Sequence, residues 1–224
     1  MIKETKRFIP YTRDHYSKEE MLKRSKSFYD WADTRRSVRD FSDKPVPKEV
    51  MENIIMTAST APSGAHKQPW TFCLISNSKL KSKLRELAEI EEKKSYGGRM
   101  SDVWMKDLEP LGTNWVKEFI DVAPWIVVVM KRAYEFEEGG DKHQNYYVNE
   151  SVGLAAGFLL MAVHNAGLVA LTHTPSPMNF IAKALERPEN ERPFLLIPVG
   201  FPAEDAQVPD LNRKEKSEVI EYYD

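Results

Sequence analysis

The sequence predicts a helix-and-sheet fold, with helices packed on a central sheet. Three observations lead there. Strand-forming runs at 70–76, 125–130, 168–174 and 194–199 are separated along the chain rather than consecutive. Between them lie segments with apolar residues at helical spacing, such as Leu80, Leu84, Leu87 and Ile90 within 79–94. The 224 residues, 42% of them hydrophobic, suffice for one substantial core and are few for two, so a single domain over 1–224 is expected. Helices between separated strands then imply a sheet with helices packed on it.

Each element has a local reason. The first stretch, to about Trp31, is charged and aromatic and is expected to form a surface arm plus a helix. Pro47 opens a helix through Glu49, Ile54 and Ile55 to Thr60, because proline fits the first helical turn. Residues 70–76 are rich in strand formers. The run 125–130 is continuously apolar and ends at Lys131, which predicts a buried strand. Residues 149–166 read as an apolar helix capped by Gly167. That helix carries Gly153, Ala155, Ala156 and Gly157 and is apolar nearly all round, so it must be buried on every side. A subunit interface and the centre of a monomeric core both satisfy this. The run 168–174 leads into the turn Pro175-Ser176-Pro177. The last core strand, 194–199, stops at Gly200-Phe201-Pro202, and the tail 213–224 is polar.

Composition excludes several classes. Net charge is -2 and the basic residues are interspersed with acids, so no nucleic-acid partner is expected. The single cysteine, Cys73, excludes an internal disulfide and a cysteine metal cluster, and its apolar setting suggests a packed core thiol. The opening Met1-Ile2-Lys3-Glu4-Thr5-Lys6-Arg7 is too polar for a signal peptide. Residues 151–180 hold no Asp, Glu, Lys or Arg, yet His164-Asn165 interrupts them, which favours a buried helix over a membrane span. A reducing, cytoplasmic setting without membrane attachment is expected.

Several segments carry candidate chemistry. Arg35-Arg36-Ser37-Val38-Arg39 places three guanidiniums within five residues, which suits an anionic ligand and equally a solvated basic patch. Ala61-Pro62-Ser63-Gly64-Ala65-His66-Lys67-Gln68-Pro69-Trp70 has two prolines and a glycine that fix a loop. Its small residues let a ligand reach backbone N–H groups, although an ordinary helix-to-strand connection reads the same way. Loop residue His66 is a weak catalytic candidate. Glu92 and Tyr96 are four apart and would share a helix face. The surrounding run, Glu89, Glu91, Glu92, Lys93 and Lys94, is of the kind that ordinarily faces solvent.

Arg-Arg-Ser-Val-Arg at 35–39, followed by Pro-Ser-Gly-Ala-His and Gln-Pro-Trp within 62–70, resembles the nitroreductase superfamily of FMN enzymes. The further segments Asn114-Trp115, Asn165-Ala166-Gly167-Leu168, Thr172-His173-Thr174-Pro175, Pro198-Val199-Gly200 and Val208-Pro209-Asp210-Leu211 extend the resemblance, over residues 34–214, to its iodotyrosine deiodinase branch.

The resemblance implies an α+β, nitroreductase-like fold: a central, mostly antiparallel sheet flanked by helices, in an intertwined homodimer with FMN at the subunit interface. It implies that Arg35, Arg36, Ser37 and Arg39 contact FMN, with Arg213 on the phosphate side. Pro62 and Ser63 would come from the partner subunit. Thr172 and Thr174 would lie near the flavin ring, Thr174 acting catalytically through a hydrogen bond to flavin N5 that permits one-electron steps. Glu92 would hold a substrate ammonium, and Lys117 with Tyr96 its carboxylate, on a lid spanning 89–118. Gly97-Gly98 suit a segment that moves. The N–H of Ala65 would hold a phenolate oxygen. The activity implied is FMN-dependent reductive dehalogenation of halotyrosines with release of halide, using no metal. The electron donor is left open, an NAD(P)H-dependent reductase being one candidate. The alternatives are an NAD(P)H-dependent nitroarene or quinone reductase of the same fold, and a non-catalytic flavin-binding protein.

Overall fold

A computed structural model of the chain describes residues 8–223. The polar opening 1–7, read above as unlike a signal peptide, lies outside the described residues. The chain forms two compact units, one ending at Arg35 and the other beginning at Arg36.

The first unit is an extended arm followed by helix α1 (Lys18–Asp33). Ser17 caps it, its Oγ accepting the Glu20 N–H at 3.2 Å. Ion pairs one turn apart, Glu20–Arg24 and Lys26–Asp30, support it locally. No residue of α1 is buried, and Met21, Leu22, Phe28 and Tyr29 are all more than half exposed.

The second unit holds, in chain order, helices α2 (Lys48–Ala58), α3 (Ser78–Lys94), α4 (Asp102–Leu108), α5 (Phe119–Val122), α6 (Val148–Asn165), α7 (Asn179–Ala184) and α8 (Lys216–Val219). Its strands are β1 (Trp70–Ile75), β2 (Trp125–Arg132), β3 (Tyr134–Phe136), β4 (Lys142–Gln144), β5 (Val169–Ala170) and β6 (Glu191–Gly200). Four of them form an antiparallel sheet in the order β1-β2-β6-β5, and β3 pairs with β4 as a separate hairpin. Ile126 to Met130 of β2 are fully buried, because helices cover both faces of this inner strand. The β2–β6 register shifts between Val129 and Met130, opposite Pro193, which has no N–H to give the ladder.

Side chains alternate across the sheet and divide the core in two. Val127, Val129, Ile197 and Val199 pack with Met51 and Ile54 of α2 and Val152, Ala155 and Leu159 of α6. Ile126, Val128, Met130 and Leu196 pack on the other face with Leu84 and Ala88 of α3, Phe119 and Ile120 of α5, and Ile181 of α7.

The expected helices and strands are present, with two differences. Of 168–174 only Val169–Ala170 joins the ladder, and His173 adds one isolated bridge to Leu196. Thr172 and Thr174 are exposed there, so no neighbouring strand extends the sheet over them. Helix α6 is not buried on every side within one chain. Val152, Ala155, Ala156, Leu159 and Val163 face the core, while Gly153, Leu154, Gly157 and Phe158 are exposed. Gly167 ends α6 as expected, at φ +72. Cys73 is partly rather than fully buried, and desolvation pushes its thiol pKa up. No helix among the described residues is long and apolar enough to cross a membrane.

Candidate active site

Helix α3 buries Lys81, Leu84, Ala88 and Glu92 along one stripe. This spacing carries Glu92 inward at the end of the helix while Lys93 and Lys94 remain exposed. The charge run is therefore split by helix geometry. Glu92 Oε2 lies 3.1 Å from Lys117 Nζ, and both side chains are at most 10% exposed. The Lys117 ammonium also donates to the Asn114 carbonyl. The Lys117 N–H donates to Glu89 Oε1 at 2.9 Å, and Glu89 in turn pairs with Arg85 at 2.8 Å. Two helix-borne carboxylates thus hold both the backbone and the side chain of a lysine 25 residues beyond Glu92 in the chain.

Tyr96 follows in a single π-turn, Ser95–Arg99, with Gly98 at φ +137, where a side chain is strained. The turn changes the simple four-residue helical relation of Glu92 to Tyr96, yet Lys117 Nζ still lies 5.8 Å from the centre of the Tyr96 ring. Glu91 braces the turn through Lys94 at 2.7 Å and Arg99 at 2.8 Å. Burial pushes the Lys117 ammonium pKa down, and the Glu92 carboxylate opposes that shift. Burial raises the Tyr96 phenol, while a hydrogen bond with Thr113 and the Arg39 charge lower it. Burial, helped by the charges of Lys117 and Arg39, pushes His173 down to about 3, so its ring is neutral. His173 packs edge-on to Phe119 at 5.5 Å, and its Nε2 is buried without a hydrogen bond.

The second unit opens with Arg36 and Ser37 exposed, Val38 buried and Arg39 part-buried. The Val38 N–H donates to the Ala170 carbonyl at 3.3 Å, and Ser37 forms a bridge with Ala170. This lays the basic stretch alongside β5, just before Thr172 and Thr174. Those threonines are exposed and His173 between them is buried, so their hydroxyls share the outer side. Burial lowers the Arg39 pKa against the raising influence of Tyr96 and Asp40. Arg39 also lines a cavity of about 360 Å³ with Asp40, Phe41, Thr113, Asn114 and Phe119. Arg35 closes the first unit, and Arg213 lies on the exposed stretch before α8.

The loop between α2 and β1 holds Pro62, Ser63 and Ala65. Ser63 Oγ accepts the Gln68 N–H at 2.9 Å, and Ser151 Oγ accepts the Gly64 N–H at 3.2 Å. His66 and Lys67 donate to the Ser63 and Gly64 carbonyls, each at 3.0 Å. The Ala65 N–H makes no hydrogen bond among the described residues. Ala65, His66 and Gln68 all have left-handed backbones, at φ 47, 55 and 47. Such residues cost about 1–3 kcal/mol each and persist where surrounding structure imposes them. Gly64 is required by space, since a Cβ there would lie 2.9 Å from Tyr147 Cδ2 and 3.1 Å from the Tyr146 carbonyl.

The structure therefore brings Arg39, Glu92, Tyr96 and Lys117 together. It does not bring Pro62, Ser63 and Ala65 to them through the same layer: their loop joins α2 and packs on α6, across the sheet from α3 and α5. Sequence reasoning missed Glu89, Thr113 and the buried His173. The Arg85–Glu89 spacing of four, in register with Glu92 one turn on, was the available signal for Glu89. Among the described residues no group of three or more His, Cys, Asp or Glu side chains converges to hold a metal ion.

Comparison with known proteins identifies the fold and the family. The model of the Nitroreductase family matches residues 32–201. The iodotyrosine deiodinase of Haliscomenobacter hydrossis is 58% identical over 222 residues, covering 99% of this chain and 100% of that protein. Iodotyrosine deiodinase 1 of Homo sapiens is 44% identical over 213 residues, covering 95% of this chain and 74% of the human protein. A crystal structure of oxidized iodotyrosine deiodinase bound to FMN and 3-iodo-L-tyrosine matches with a TM-score of 0.75 at 30% identity, covering 88% of this chain and 98% of the other. The sheet and its flanking helices are thus those of an established fold, and the chain belongs to the nitroreductase family, in its iodotyrosine deiodinase branch.

Proposed function

We propose that this protein is a flavin-dependent oxidoreductase that removes halogen from halotyrosines with FMN as cofactor. The observation that carries the reading is the buried Glu92–Lys117 pair beside Tyr96. A free amino acid brings an ammonium and a carboxylate, so it can part this pair and leave both partners satisfied. A nitroarene or quinone brings neither, and either charge left buried alone is costly.

The residues present fit FMN by their chemistry. Arg36, Ser37 and Arg39 offer charged and neutral donors on a backbone anchored to β5, and Thr172 and Thr174 offer two exposed hydroxyls beyond the same strand. In the proposed site Arg35 and Arg213 add to the grip on the phosphate, and Pro62 and Ser63 approach from the partner subunit. When bound, FMN supplies the two electrons that, with one proton, exchange the carbon–halogen bond for carbon–hydrogen and release halide.

The chain's own residues bind and orient. Glu92 takes the substrate ammonium, and Lys117 and Tyr96 take its carboxylate. The open Ala65 N–H donates to the oxygen of the phenolate, a form of the substrate that halogenation favours by lowering the phenol pKa from about 10. The Thr174 hydroxyl donates toward the flavin edge. Segment 89–118 acts as a lid that excludes water. The whole chain acts as one FMN-binding domain, with 1–31 as its arm.

The placement of these groups supports a homodimer. The Ala65 loop and the Glu92–Lys117 pair are carried on opposite faces of one sheet, which supports a site completed by the loop of a second copy. The exposed Gly153, Leu154, Gly157 and Phe158 of α6 supply an apolar, small-residue surface for that contact. A cytoplasmic setting, with electrons from an NAD(P)H-dependent reductase, completes the proposal.

The test is anaerobic, dithionite-reduced FMN-loaded protein with diiodotyrosine, with free iodide measured. Iodide release at catalytic turnover is expected. Retention of FMN without iodide release would overturn the reading, and nitroaromatic turnover without halotyrosine affinity would select the general reductase.

A further inference from the structure

The turn that presents Ala65 is gripped at both ends by groups outside it. At its start, the Gly64 N–H is held by Ser151 Oγ, and Tyr146 and Tyr147 wall the glycine. At its end, Arg132 Nη2 donates to the Gln68 carbonyl at 3.1 Å, and the Arg132 N–H donates to the Pro69 carbonyl at 2.9 Å. The guanidinium is itself fixed. Its Nη1 donates to Glu135 Oε2 at 3.1 Å, while Asn145 Nδ2 donates both to Glu135 Oε1 at 3.1 Å and to the Arg132 carbonyl at 3.0 Å.

We propose that Arg132 is a positioning residue for the phenolate-binding N–H of Ala65. This rests on the halotyrosine reading above. Gln68 is left-handed at φ 47, and Ala65 and His66 share that strained region three and two residues earlier. A charge-assisted bond to the Gln68 carbonyl opposes relaxation of that backbone. Relaxation at Gln68 propagates through three peptide units to the Gly64–Ala65 plane and turns the Ala65 N–H away. The carbonyl of that same plane accepts the Lys67 N–H, which polarises the peptide and strengthens Ala65 as a donor. The network is a poor device for stability alone. Arg132 Nε and Asn145 Oδ1 are buried without hydrogen bonds, and each unmet group opposes folding. Among the described residues Arg132 makes no hydrogen bond or ion pair with the Glu92–Lys117 pair or the basic stretch, so its effect falls on the phenolate end of the substrate rather than on the zwitterion end.

The experiment uses oxidized, FMN-loaded protein titrated with 3-iodotyrosine and with 3-iodophenylalanine, which keeps the zwitterion and lacks the hydroxyl. The readout is the ratio of the two dissociation constants. Arg132→Met is expected to shrink the advantage of 3-iodotyrosine by about tenfold or more, since small misplacements of a binding group cost up to about a hundredfold. FMN retention and affinity for 3-iodophenylalanine stay near wild type, and Arg132→Lys recovers part of the ratio. Ser151→Ala, which releases the other end of the turn, shifts the ratio the same way and serves where Arg132→Met does not fold. An unchanged ratio in the Arg132 and Ser151 variants overturns the proposal. So does an equal loss of affinity for both ligands, the signature of a merely structural role. Failure of the wild type to bind 3-iodotyrosine would instead break the halotyrosine reading itself.

Discussion

Glu92→Gln keeps the shape of the side chain and removes its charge. The side chains of Glu92 and Lys117 are 10% and 3% exposed, so salt screens their pair weakly. At 3.1 Å, Coulomb attraction at an effective dielectric constant near 20 is about 5 kcal/mol, most of it offset by desolvation of the two ions. Breaking a buried pair from one side costs more than its net worth, about 3–5 kcal/mol, because the surviving charge remains buried. The glutamine still accepts a hydrogen bond, so Glu92→Gln should fall at the low end and Lys117→Met higher. The double variant should be about 2–3 kcal/mol more stable than the sum of the single losses. For the substrate, exchanging a charge-assisted bond to the ammonium for a neutral one costs about 1.5–3 kcal/mol, or roughly 10- to 150-fold in Kd. FMN affinity should hardly change. Urea unfolding of all four FMN-loaded proteins measures the coupling, and halotyrosine titration of the same samples measures binding. A coupling energy near zero, or equal halotyrosine affinity in wild type and Glu92→Gln, would refute the clamp.

Four other outcomes are expected. His173 has a folded pKa of about 3 against an ordinary 6.5, so between those values the unfolded chain takes up a proton that the folded chain refuses. Stability should therefore fall with acidification across that window, by up to about 1.4 kcal/mol per pH unit from this group, and His173→Leu should flatten the slope in urea midpoints measured from pH 7 to pH 4. Gly200→Ala sets a Cβ 2.5 Å from Pro124 Cδ, a stiff ring, and should cost about 1–3 kcal/mol by overpacking, seen as a lower Tm. Phe158→Glu, on the exposed face of α6, should dissociate the proposed dimer in sedimentation and reduce FMN retention with it; a wild type that sediments as a monomer would refute the dimer, and a variant dimer like wild type would remove α6 from the interface. Thr174→Ala should slow iodide release in single-turnover assays while halotyrosine affinity stays near wild type.

The comparison of pattern with fold is clearest at β2, α3 and the 61–69 loop. The apolar run at 125–130 announced a strand buried on both faces, because such a strand has no polar side to show. The leucine spacing of 79–94 announced α3, since helical periodicity is a local property. The arginines of 35–39 and the small residues of 62–65 marked anion-binding and backbone-donor chemistry for the same local reason. What those patterns left open was direction. Glu89, Glu91 and Glu92 are chemically alike in the sequence, and only the packing of α3 sends Glu92 to Lys117, Glu89 to the Lys117 backbone and Glu91 to Arg99. The left-handed turn at Ala65 depends on Arg132, 64 residues beyond Gln68, and on Ser151, 87 residues beyond Gly64. The sequence by itself determined the principal helices and the inner strands, the family and the kinds of group available. Tertiary structure decided which charges are buried together and which N–H stays open, because burial and long-range hydrogen bonds arise only when distant segments pack.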